Sequence, residues 1–153
     1  ICESINLVEG SIKGDLILSN DKLYLIEFAA RLSGGFFSTH IIPQVYDYNL
    51  IENTIRIALD EKPLLPTYPL VNKKFQAGRF VFLPKGTVKR ISNLPKKNKK
   101  IIYFSLNIKE GDYIENITNH TMRAGGVITV CSSPNEASRL AEKVISDLDI
   151  EIE

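Results

Sequence analysis

Residues 10–43 read GSIKGDLILSNDKLYLIEFAARLSGGFFSTHIIP, and the fold turns on this stretch. Two apolar runs, Leu16–Leu18 and Leu23–Ala30, are joined by the polar link Ser19-Asn20-Asp21-Lys22, which predicts a β-hairpin. The second run, LYLIEFAA, is nearly continuous, the pattern of a strand covered on both faces. Glu27 inside it then needs a partner, because burying a lone carboxylate is costly. Antiparallel pairing brings Asp15, at the start of the first strand, close to Glu27. Facing carboxylates repel unless a cation lies between them. Two hard oxygen ligands suit magnesium, which is typically held by one or two carboxylates plus substrate phosphates. Arg31, four residues after Glu27, could grip a phosphate or carboxylate in bidentate fashion. Gly34 and Gly35 would let backbone amides approach an anion. A plainer reading fits the same spacing: Asp15 as a solvated strand end, Glu27 and Arg31 as a structural ion pair, Gly34-Gly35 as a turn.

Outward from the hairpin, helices are expected over Ile1–Val8 and Phe36–Val45, the latter despite Pro43. Asn49 is placed to cap a helix from Leu50 to Asp60, with Ile51, Ile55, Ala58 and Leu59 on one face. Lys62–Pro69 holds Pro63, Pro66 and Pro69, so it reads as an extended connector and an internal boundary. Beyond it the texture is β. Strands are expected at Phe75–Leu83, Thr87–Ile91, Ile101–Ile108 and Gly125–Cys131, with turns at Pro84-Lys85-Gly86 and Lys109–Asp112. Ser133-Pro134-Asn135-Glu136 is a capping box with Pro at the first helical position. Ala137, Leu140, Ala141, Val144, Ile145 and Leu148 follow at helical spacing, and Ile150–Ile152 closes as an edge strand. The fold class expected is α+β: antiparallel sheet with helices, residues 1–72 forming one part and residues 73–153 a smaller β-rich module with a closing helix.

The chain has 153 residues, 44% of them apolar and 24% charged, enough for a core. With 19 basic against 18 acidic residues the net charge is +1, which argues against a broad grip on nucleic acid. The basic run Lys96–Lys100 reads as a solvated hairpin tip. No apolar stretch approaches the roughly 20 residues of a membrane helix. The two cysteines, Cys2 and Cys131, form neither a metal spacing nor a disulfide framework, which suits a reducing cytoplasm; Cys131 reads as core. The only Met is Met122, and the chain reads as a piece of a longer or processed protein.

The motif D-x11-E-x3-R-x2-GG within residues 10–43 resembles the last third of an ATP-grasp ligase. That family shows a short strand bearing an acidic residue, a variable hairpin, and a hydrophobic strand ending in Glu, a small or amide residue, and Arg. The RLSGGF form is similar to the branch containing dipeptide-forming amino-acid ligases and carbamoyl-phosphate-synthase-like proteins. FQAGRFVFLPKGTVKRI, residues 75–91, resembles the β segment that follows the core, and residues 109–152 resemble the C-terminal module. The resemblance implies that residues 1–72 are the C-terminal part of the catalytic core. It implies that Asp15 and Glu27 hold magnesium (or manganese) on the ATP phosphates, and that Arg31 holds an acyl phosphate or substrate carboxylate. Small-molecule carboxylate and amine substrates, a possible homodimer and an N-terminal remainder with a glycine-rich ATP lid are implied too. Two positions depart: Ala29 stands where many members carry Asn as a third metal ligand, and Asp15 where Glu is commoner.

Arg123, in MRAGG, reads either as an arginine approaching the substrate pocket of this branch or as an ordinary ion-paired surface residue. His40 reads as a structural histidine. Three rival readings of the chain are a non-catalytic assembly or substrate-selecting module, a purine-pathway ligase and a biotin-carboxylase-like enzyme.

Overall fold

The computed structural model describes residues 3–66 and 74–153. The chain divides into two units, Ile1–Val71 and Asn72–Glu153.

The first unit opens with a 3-10 turn, Glu3–Ile5, in place of the expected helix over residues 1–8; residues 1 and 2 lie outside the described residues. Asn6 adopts a left-handed φ of 53°, which stops any helix there. Strands β1 (Lys13–Ser19) and β2 (Lys22–Ala29) form an antiparallel two-stranded sheet. The link is two residues, shorter than the polar tract suggests. Asn20 and Asp21 both take positive φ, 49° and 58°, the conformation a tight hairpin requires and these side chains tolerate. The continuous apolar run had implied cover on both faces. Instead Leu16, Ile17, Leu18, Leu23, Tyr24, Leu25 and Ile26 are all exposed among the described residues.

Phe36 enters the next segment with φ 67°, and Phe37–Ile41 winds as a π-helix before α1 (Ile42–Tyr46) begins. Pro43 falls in the first turn of α1, where its missing N–H breaks no helical bond. Helix α2 (Leu50–Ala58) starts on Asn49, whose side chain accepts from the Glu52 amide at 3.1 Å. Its buried residue is Asn53, while Ile55 and Leu59 are exposed, so the expected apolar face is not the one that packs. Asn53 donates to the Asn49 carbonyl at 2.9 Å and accepts from the Leu64 amide at 2.5 Å. The second bond ties the start of the proline-rich connector to α2. Beyond residue 66 that connector lies outside the described residues.

The second unit holds two three-stranded antiparallel sheets. One runs in the order β3 (Phe75–Val81), β7 (Gly125–Cys131), β5 (Ile101–Leu106); the other runs β6 (Tyr113–Ile114), β4 (Gly86–Ser92), β8 (Asp149–Ile152). Strands β3 and β4 are joined through residues 82–85 but belong to different sheets. Strand β7, GGVITVC, is buried throughout, as a central strand under a helix must be. Helix α3 (Pro134–Ser146) packs on β3 and β7 through Ala137 and Ala141, both fully buried. Their small side chains let the helix approach closely, and the Thr129 hydroxyl donates to the Ala137 carbonyl at 2.8 Å. Val127, Cys131, Val144 and Ala77 complete the core. The basic run Lys96–Lys100 is an exposed segment between β4 and β5, which lie in different sheets, so it is not a hairpin tip.

Gly125 sits where no side chain fits. A Cβ there would meet the Ser105 carbonyl oxygen at 2.2 Å and the Leu106 backbone at 3.0 Å. Gly125→Ala is expected to cost about 1–3 kcal/mol through displacement of β5 from β7, read as a lowered midpoint in denaturant at constant slope. An unchanged midpoint contradicts the close approach.

Three surface carboxylates of this unit are held below their ordinary range. Lys100, then Ser132, lower Glu136; Arg79, then Ser138, lower Glu142; Ser92, then Arg90, lower Asp149. A depressed folded pKa contributes stability above the unfolded value, lost as pH falls through the folded one. The melting temperature should therefore drop from about pH 5 to about pH 3, and Glu142→Gln should flatten that decline. A melting temperature indifferent to acid contradicts the assignment.

Candidate functional site

The hairpin is regular from its turn up to Leu16, which pairs with Leu25. The next pair is Asp15 with Glu27, so Ile26 is a surplus residue in β2, a β-bulge. Counting back from the turn without it would set Asp15 against Ile26 and send Glu27 to the opposite face. The bulge corrects the register, and Lys13, Asp15, Glu27 and Ala29 come to share one face, with Lys13 opposite Ala29.

Asp15 and Glu27 are both largely solvent-accessible, their side chains 53% and 60% exposed. A cation does lie between them: the Lys13 ammonium donates to Asp15 Oδ2 and to Glu27 Oε1, the latter at 3.4 Å. The Asp15 hydrogen bond, then the charges of both acids, raise the Lys13 pKa. Lys13 is the member of this cluster that sequence reasoning missed. Its signal was there: two residues before Asp15 on a strand is the same face.

Two accessible carboxylates on one face fit a hard divalent ion that shares its coordination with phosphate oxygens. Among the described residues no group of three or more His, Cys, Asp or Glu is arranged to hold a metal.

Arg31 follows β2 by two residues, exposed; its amide donates to the Ala29 carbonyl at 2.9 Å and its guanidinium to the Leu32 carbonyl at 3.1 Å. Gly35 takes φ 61°, a left-handed turn position, whereas Gly34 has open space where a side chain would go. His40 bonds the Thr39 hydroxyl at 2.7 Å and meets Phe36 edge to face. Arg123 belongs to the second unit, where its guanidinium stacks 3.8 Å from the Phe80 ring centre.

No curated protein matches the chain. Among solved structures, the phosphoribosylglycinamide synthetase of Anaerococcus prevotii is similar over 99% of the chain at a TM-score of 0.85 and 19% identity. The L-amino acid ligase of Bacillus licheniformis is similar over 99% at a TM-score of 0.75 and 20% identity. The biotin carboxylase domain of Hydrogenobacter thermophilus 2-oxoglutarate carboxylase, solved with MgADP and bicarbonate, gives 0.70 at 16% identity over 99% of the chain. The chain spans 39%, 38% and 34% of those proteins. The likeness to these ligase and carboxylase structures is one of fold, and it runs through both units of the chain. Residues 79–153, just under half the chain, match the family described as L-amino acid ligase C-terminal domain 2. The α+β class expected from the sequence holds.

Proposed function

We propose that this chain forms the magnesium- and phosphate-binding wall of an ATP-dependent carboxylate–amine ligase, joining carbon to nitrogen through an acyl phosphate. The observation that carries the reading is the pairing of Asp15 with Glu27 on one accessible face of the hairpin. Residues 1–72 supply the C-terminal part of the catalytic core, and residues 73–153 the β-rich module. A small-molecule carboxylate attacks the γ-phosphorus of ATP, ADP leaves, and an amine then displaces phosphate from the acyl carbon.

Magnesium or manganese, held by Asp15 and Glu27, supplies charge neutralisation at the phosphates. Arg31 offers a planar fork of N–H donors for the acyl phosphate or the carboxylate. Gly34 and Gly35 would let backbone amides approach the same anion. Arg123, stacked on Phe80, keeps its N–H edges for a substrate carboxylate. With so little covalent chemistry asked of these residues, positioning and charge are their contribution.

The exposed apolar hairpin supports a further element of the proposal. A two-stranded sheet is marginal alone, and a contiguous apolar patch marks an interaction surface. Leu16, Leu18, Leu23 and Leu25 share the face opposite Asp15 and Glu27 and are assigned to packing against the N-terminal remainder of the ligase, which brings the ATP lid. Among the described residues no helix is long and apolar enough to cross a membrane, and the free thiol of Cys131 suits the cytoplasm. The purine-pathway alternative draws support from the TM-score of 0.85 to the synthetase; the match over residues 79–153 favours an amino-acid ligase.

In the full ligase, Asp15→Asn and Glu27→Gln are each expected to lower kcat by on the order of a hundredfold and to weaken Mg–nucleotide binding. Wild-type turnover in both variants would falsify the metal assignment. Arg31→Lys keeps the charge but loses the fork, and should lower kcat/KM by roughly tenfold or more. Equal kinetics would leave Arg31 a surface residue.

A further inference from the structure

The acidic pair carries a third charge of its own. Strand alternation puts Lys13 on the face of Asp15 and Glu27, and the register sets it across from Ala29. A methyl group there leaves room for the lysine stem. The Lys13 side chain is accordingly only 18% exposed, far less than either acid. Its ammonium donates to one oxygen of each carboxylate, Asp15 Oδ2 and Glu27 Oε1. Three charges on one face sum to −1, not the −2 that the two acids would present.

We infer that Lys13 is the internal counter-cation of this pair. It is a positioning residue that draws both carboxylates together and competes with a divalent ion for their oxygens, so that it sets how tightly the hairpin binds metal. The inference rests on the proposed reading of Asp15 and Glu27 as metal ligands. A divalent ion must take Asp15 Oδ2 and Glu27 Oε1 from the ammonium, or bind other oxygens beside a retained positive charge. Either route weakens binding. One unit charge a few ångströms from a divalent ion, in water-like surroundings, changes affinity on the order of tenfold. The lysine also removes the repulsion that two opposed carboxylates would bring to the open end of the hairpin.

The test uses the full ligase and Mn2+ alone, without nucleotide. Paramagnetic broadening of the β1 and β2 amide resonances reports binding. Lys13→Met is expected to bind Mn2+ about tenfold more tightly than wild type, and Lys13→Arg to stay within about twofold. Lys13→Gln repeats the neutral substitution if the Met variant fails to fold. Amide exchange in the hairpin should quicken in metal-free Lys13→Met and slow again with Mn2+. Affinity in the neutral variants equal to or below wild type overturns the counter-cation. The Asp15→Asn/Glu27→Gln double variant separates the two layers. If it loses Mn2+ binding while Lys13→Met matches wild type, the ligands stand and the lysine's role falls. If it broadens like wild type, the acids are not ligands and both readings fall. No broadening of Lys13→Met at millimolar Mn2+ also overturns the inference.

Discussion

The pairing of Asp15 with Glu27 depends on one surplus residue in β2. A two-residue turn fixes the register of the hairpin, and that register alone would point the acids to opposite faces. Ile26 breaks the count, and from there to the end of the sheet every pair is shifted by one. Lys13, Asp15, Glu27 and Ala29 share a face only because of that shift. The tight turn contributes equally, since Asn20 and Asp21 hold positive φ without a glycine and so leave no slack for the strands to slide.

The second unit is organised by a different constraint, the closeness of a helix to a sheet. Fully buried alanines at 137 and 141 bring α3 down onto a strand with no exposed residue. Thr129, also fully buried, satisfies its hydroxyl on the helix carbonyl that this approach presents. Around that core the charged residues form a rim of partnered side chains, among them Arg79 with Glu142 at 2.6 Å and Arg90 with Asp149 at 2.8 Å. Surface pairs of this kind each contribute little. The rim therefore adds little strength, and what it adds is lost in acid.

Much of this was legible in the sequence, wherever a local rule had no competitor. The cap at Ser133, the proline after it and the alanine spacing identify α3 to within two residues of its observed end. The polar link and flanking apolar runs identify the hairpin. Periodicity misled where burial depends on something beyond the segment. LYLIEFAA reads as a buried strand, yet among the described residues its large side chains from Leu23 to Ile26 lie exposed. Helix α2 buries Asn53, whose side chain finds two backbone partners, and leaves Ile55 and Leu59 exposed. The bulge left no compositional mark, so the proximity of the two acids was expected for a reason that omitted the step producing it. Lys13 was overlooked because attention to ligand-type residues passes over a cation at the same site.

The hairpin leaves both outer strand edges unpaired within a two-stranded sheet, with apolar residues above and below. Such edges are templates for further strands. Charges interrupt the ladder only near its ends, at Lys13, Asp15, Asp21, Lys22 and Glu27, while the centre is leucine, isoleucine and tyrosine. Exposed edges of that composition favour edge-to-edge stacking, so those few central residues are where a charge or a proline would blunt self-association.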